Sequence, residues 1–195
     1  MMKSTVVLYS CPDYSCSTIQ SLIEKGLEEL GGIQAILGRA RSICLKPNML
    51  TGASPEKCAT THPVIVEAIG QILKNKGYDV SYGDSPGFGH PEQVARQCGL
   101  STVSNRLKIP LADFKNGKEI VNPNGRQNKR FTIANGIINT DAVISLPKLK
   151  THGMQKFTGA IKNQFGCVPG LLKGEFHVRC PSAVDFAQML VDCNS

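Results

Sequence analysis

Ser42-Ile43-Cys44-Leu45-Lys46-Pro47-Asn48 is a short apolar run that ends in a lysine and a proline and opens into a polar loop. It is too short for a core helix, and Pro47 cannot continue a central ladder, so it reads as a buried strand. Working outward, apolar runs alternate with helical periodicity. Upstream, Thr5 to Tyr9 reads as a first strand, and Ile19, Leu22, Ile23, Leu27 and Leu30 recur at helical spacing until Gly31-Gly32 stops them. Downstream, Thr61 or His62 caps a helix that starts at Pro63 and turns Ile65, Ala68, Ile69, Ile72 and Leu73 inward. Gly77 closes it, Asp79 to Gly83 is the next strand, and a short helix from Pro91 to Cys98 ends at Gly99. Strand–helix alternation specifies an α/β class with a mostly parallel, Rossmann-like sheet flanked by helices.

The pattern then changes. Leu111 to Lys115 and Lys118 to Val121 flank Asn116-Gly117, the signature of a two-residue hairpin turn. With Arg130 to Ile133 this predicts a β-hairpin insertion around residues 111–133, and Asn124-Gly125 and Asn135-Gly136 mark further turns. Asp141 to Leu146 resumes the buried-strand reading. A helix near Gln155 to Phe165 would align Phe157, Ile161 and Phe165, and a last helix starts near Ser182. That last helix carries Ala183, Val184, Ala187, Leu190 and Val191, an apolar face expected to be covered by a second copy or by a missing carboxy-terminal half.

With 195 residues, 41% of them hydrophobic, the chain can bury a core and lies outside the composition of disordered proteins. The expectation is one α/β domain over residues 1–195. The sequence has no apolar run long enough to span a bilayer and no signal-peptide core, so no membrane partner and a cytoplasmic location are expected. The net charge of +7 is concentrated. From Arg106 to Lys173 there are twelve lysines and arginines, opposed only by Asp113, Glu119 and Asp141, a field that gathers anions. Aromatic residues are 6% with no tryptophan, which disfavours a nucleic-acid reader. The eight cysteines include no C-x-x-C pair, so common zinc and ferredoxin patterns are missing, and the default reading is inert thiols.

Ligands of open α/β sheets bind outside the carboxyl ends of the strands. Four polar segments are predicted to converge there: Lys46-Pro47-Asn48, Ala59 to Pro63, Gly83 to Gly87, and Pro147 to Gly153. They bring Lys46, Asn48, Thr60, Thr61, Ser85, Lys148 and Lys150 as candidate ligand-binding groups, joined by Thr158, Lys162 and Asn163 from the next helix. His62, Asp84 and His152 are the candidates for proton transfer or metal ligation. Lys46 snorkelling from a strand end, Thr61 acting only as a cap, and residues 84–87 forming only a turn are the plainer alternatives. His90 and His177 read as structural or surface residues. The expected partner is a small carboxylate or phosphate.

Gly83-Asp84-Ser85-Pro86-Gly87 formally fits the G-x-S-x-G pattern of α/β-hydrolases. That fold needs the backbone N–H after the serine for its oxyanion hole, and Pro86 has none. Phosphate-loop, dinucleotide-binding and H-E-x-x-H patterns are missing from the sequence.

Five segments together resemble the family named domain of unknown function 362: Leu45 to Asn48, Ala59 to Pro63, Gly83 to Gly87, Leu146 to His152, and Thr158 to Gly166. The resemblance implies an α/β fold and a site at these loops rather than a particular reaction. Family members are often fused to ferredoxin modules, which implies a second reading, a non-catalytic iron–sulfur-linked accessory protein with a redox partner. This chain departs from the family in having no ferredoxin cysteine run, so cluster binding does not transfer to it and its cofactor is undetermined. It also stops where members continue into a glycine-rich second half, and so resembles an N-terminal portion. The strand-end lysine and Thr-His-Pro loop are distantly similar to the nickel-dependent lactate racemase type, by analogy alone.

Overall fold

A computed structural model describes residues 4–195. The elements run α1 (Cys16–Glu29), α2 (Ile33–Leu37), β1 (Ser42–Pro47), α3 (Pro63–Asn75), β2 (Asp79–Tyr82), α4 (Pro91–Gln97) and α5 (Leu100–Leu107). They continue with β3 (Gly117–Val121), β4 (Arg130–Ala134), α6 (Asn135–Ile138), β5 (Ala142–Leu146), β6 (Lys150–His152) and β7 (Lys156–Thr158). Last come α7 (Ala160–Asn163), a 3₁₀ turn (Gln164–Cys167), α8 (Leu172–Arg179) and α9 (Ala183–Asn194).

Among the described residues the main sheet is parallel, in the order β2-β1-β5. Pairing Leu45 with Tyr82 and Lys46 with Ser145 brings all three carboxyl ends to one edge. Helix α3 forms because Pro63 is pre-set at its first position, with His62 as its N-cap. It buries Val66, Ile69, Ile72 and Leu73 against β1, β2 and α5, each contributing roughly 1.5–3 kcal/mol. A second apolar cluster joins Phe131 of β4, Phe165, Phe176 of α8, and Phe186, Met189 and Leu190 of α9.

Several expectations are corrected. Thr5 to Tyr9 is not a strand: Val6 and Leu8 are 86% and 91% exposed, and Tyr9 and Val7 lean on Gly26 of α1 instead of a ladder. A second helix, α5, follows Gly99. The hairpin insertion is present, but β3 pairs with β4, and Asn116-Gly117 is not its turn. Asp113 accepts the backbone N–H groups of Lys115 and Asn116, and a Cβ at Gly117 would lie 2.4 Å from the Ile133 carbonyl oxygen. Gly117 is therefore selected by close approach within the ladder, and the connection runs through the loop containing Asn124-Gly125. The single helix expected over residues 155–165 is broken: Lys156–Thr158 is strand β7 of the β6–β7 hairpin, and only α7 and the 3₁₀ turn are helical, with Phe157 and Ile161 exposed. The inward stripe of α9 is Phe186, Met189 and Leu190, whereas Val184 and Val191 face outward. None of the described helices is long and apolar enough to cross a membrane.

Candidate functional site

The loops at the carboxyl edge hold three groupings. In the deepest, Lys46 at the end of β1 is 0% exposed and meets Asp84, 2% exposed, at 2.7 Å. Lys46 also donates to the carbonyl of Pro47 and to Asn163 Oδ1, each at 3.3 Å. The second Asp84 oxygen accepts the Met49 N–H at 2.8 Å. The Asn163 amide donates to the Lys46 carbonyl at 3.1 Å and to Ser145 Oγ at 3.0 Å. This network ties β1, β5 and the 163–166 segment together, so it fixes the edge and leaves Asp84 committed. Gly166 is required by space: a Cβ there would lie 1.9 Å from Asp84 Oδ1. Ser85 Oγ accepts the Gly170 N–H at 2.8 Å and Lys173 Nζ at 2.7 Å, and no histidine approaches it as a hydrolase nucleophile would require. Burial presses Lys173 down to about 8.

The second grouping opens above the first. Lys150 on β6 donates to Asn48 Oδ1 at 2.7 Å and to the Ala59 carbonyl. Thr61 accepts the Asn48 N–H at 2.8 Å and donates to the Leu146 carbonyl, so it links the β1 and β5 ends and does not cap α3. Thr60 and Thr158 are 2% and 3% exposed, and neither hydroxyl has a hydrogen-bond partner. Thr158 stands directly opposite Lys150 in the β6–β7 ladder, on the same face, and Thr60 adjoins the carbonyl that Lys150 holds. Burial and the neighbouring Lys162 charge press Lys150 down to about 8, and burial lowers Lys162 as well. None of the ion pairs among the described residues includes either lysine. His152 Nδ1 accepts the Gln155 N–H at 3.1 Å, and burial and Lys162 lower its pKa, which favours the neutral ring.

A third grouping was not anticipated. Tyr14 stacks on His62 with ring centroids 4.1 Å apart, and Lys148 Nζ donates to Tyr14 Oη at 3.3 Å. His62 Nδ1 accepts the Val64 N–H at 3.4 Å, and burial and Lys148 lower its pKa. Lys148 thus diverges from Lys150.

Other expectations change. Thr158 does not come from a helix with Lys162 and Asn163: it lies on β7, and α7 is a single turn that begins after it. Among the described residues no group of three or more His, Cys, Asp or Glu is placed to hold a metal. His62, Asp84 and His152 therefore do not form one ligand set, nor do the eight cysteines, all of them free thiols. His177, read as a structural or surface residue, stacks on Phe186 at 4.5 Å, which fits a structural role. Tyr14 and Lys173 were missed because each reaches the site from a segment distant in sequence, with no motif around it. A polar concavity lined by Ser42, Asp79 and Asp113 lies at the opposite, amino end of the strands.

The family model described as domain of unknown function 362 matches residues 43–195, which include every grouping above except Tyr14. A thylakoid-associated protein of Synechocystis sp. is 34% identical over 193 residues, covering 98% of this chain. The chain spans 59% of that relative's length. No solved structure matches. The chain belongs to the domain of unknown function 362 family.

Proposed function

We propose that this chain binds a small anionic ligand, a carboxylate or a phosphate, at the carboxyl edge of its sheet. One observation carries the reading. The hydroxyls of Thr60 and Thr158 are buried without partners; Thr158 faces Lys150 across the β6–β7 ladder, Thr60 follows the Ala59 carbonyl that Lys150 holds, and the Lys150 pKa is pressed down by burial and by the positive charge of Lys162. A buried hydroxyl normally has a partner, and two crowded ammoniums repel each other, so an anion in contact with all four relieves both costs. The Lys46–Asp84–Asn163 network holds the frame, and His152, neutral at physiological pH with its Nδ1 taken by the Gln155 N–H, offers Nε2–H as a further hydrogen-bond donor.

The test is thermal unfolding at constant ionic strength with potassium phosphate or malonate. At a ligand concentration about 100 times Kd, binding stabilises by about 2.7 kcal/mol, a rise of roughly 5–11 °C for a chain of this size. Lys150→Ala combined with Lys162→Ala removes the rise. If that double variant keeps the full shift, the reading is wrong.

A further inference from the structure

The donors around Lys150 differ from those expected for a carboxylate. A planar carboxylate is best met by the two parallel N–H groups of an arginine, whereas a phosphate takes point charges and hydroxyls from several directions. None of the three groupings at the carboxyl edge contains an arginine. Arg106 and Arg130 are paired with Glu67 and Glu119, away from these loops. The groups that are present come from three separate segments: Thr60 from the loop before α3, Lys150 and Thr158 from the β6–β7 hairpin, and Lys162 from α7. The charge count leads the same way. Asp84 is committed to Lys46, which leaves the ammoniums of Lys150 and Lys162 as two positive charges without a carboxylate partner.

From this juxtaposition we infer that the site is built for a tetrahedral dianion, an inorganic phosphate or a phosphate monoester, with Thr60 and Thr158 donating to its oxygens and Lys150 and Lys162 balancing its charge. The inference rests on the anion-binding reading above and narrows its ligand class. Each hydroxyl has one proton to donate and no other acceptor for it. A phosphate carries two charges and spreads its acceptor oxygens tetrahedrally, matching two ammoniums and two hydroxyls from separate segments, whereas acetate carries one charge and holds its acceptor sites in one plane.

The experiment is isothermal titration at pH 7.5 and constant ionic strength with inorganic phosphate, methyl phosphate, malonate and acetate. Phosphate and methyl phosphate are expected to bind, with malonate at least tenfold weaker and acetate weaker still. Thr60→Val and Thr158→Val preserve shape, and each is expected to weaken phosphate about tenfold by deleting a hydrogen bond to a charged group. Malonate equal to phosphate, or phosphate affinity unchanged in the Thr60→Val, Thr158→Val double variant, overturns the dianion inference and leaves anion binding standing. No binding of any of the four overturns both. The selectivity series needs only the unaltered protein, so a variant that fails to fold does not remove the test.

Discussion

Replacing Thr60 or Thr158 with valine should make the protein more stable while making it bind phosphate less well. Thermal unfolding of the two single variants and the double variant, without and with phosphate, reads both effects. Each hydroxyl is buried and unpartnered, and each residue is at most 3% exposed. A hydroxyl removed from water without a compensating bond costs roughly 1–3 kcal/mol, and valine keeps the volume while removing that cost. In a chain of this size each kcal/mol moves Tm by about 2–4 °C, so each variant should melt roughly 2–12 °C above the parent in the absence of anions. Saturating phosphate should narrow or reverse the difference, because only the parent has the hydroxyls to meet it. Thr158 is the cleaner test, since valine also suits a strand position. A lower Tm for both variants in anion-free buffer would mean the hydroxyls already have partners, and the argument from their lack of partners would collapse.

Other consequences are open to measurement. Lys46→Met should cost about 3–5 kcal/mol in denaturant unfolding by leaving the Asp84 charge buried and unpaired, and Lys46→Met with Asp84→Leu should cost much less; equal losses would contradict the ion-pair account. Asp192→Ala should loosen the β3–β4 hairpin, because this carboxylate accepts the backbone N–H groups of Arg126, Gln127 and Asn128; faster hydrogen exchange confined to residues 122–129 is the expected readout. Stability should rise with pH between about 8 and 9. There the unfolded chain still protonates lysines at their ordinary value of 10.5, while Lys150 and Lys173, each held near 8 among Lys46, Lys162, Lys148 and Asp84, have begun to release protons. Above about 9 the sign reverses. Cys44, Cys167 and Cys193 are raised by burial to about 12, 11 and 12, so the unfolded thiols ionise first and stability falls. A flat profile from pH 8 to 10 would refute the assignment of these groups.

The parallel sheet was legible because β1 and β5 are continuous apolar runs between punctuating residues, and because Pro63 and Gly77 mark the ends of the α3 region so plainly. The order of loops at the carboxyl edge followed from topology alone, which is why Lys46, Asn48, Thr60, Thr61, Asp84, Ser85 and Lys150 could be named before their contacts were known. Thr5 to Tyr9 misled because apolar composition signals a strand without saying whether a neighbour exists to pair with it. Phe157, Ile161 and Phe165 misled in the opposite way. Their helical spacing is real, but Gly159 interrupts the segment, and Asn163 and Gly166 are held at the Lys46–Asp84 pair, which leaves room for only one helical turn. The partition of the candidate residues was not legible at all. Lys148 and Lys150 are two apart in sequence, yet one turns to Tyr14 and the other to Asn48, and only tertiary packing decides this.

The most direct test is a crystal structure grown with selenate, a tetrahedral dianion whose anomalous scattering identifies it without ambiguity. An anion ordered within hydrogen-bond distance of Thr60 Oγ1, Thr158 Oγ1, Lys150 Nζ and Lys162 Nζ is the predicted result. Clear density for selenate elsewhere on the molecule, with Thr60 and Thr158 still without partners, would contradict the site.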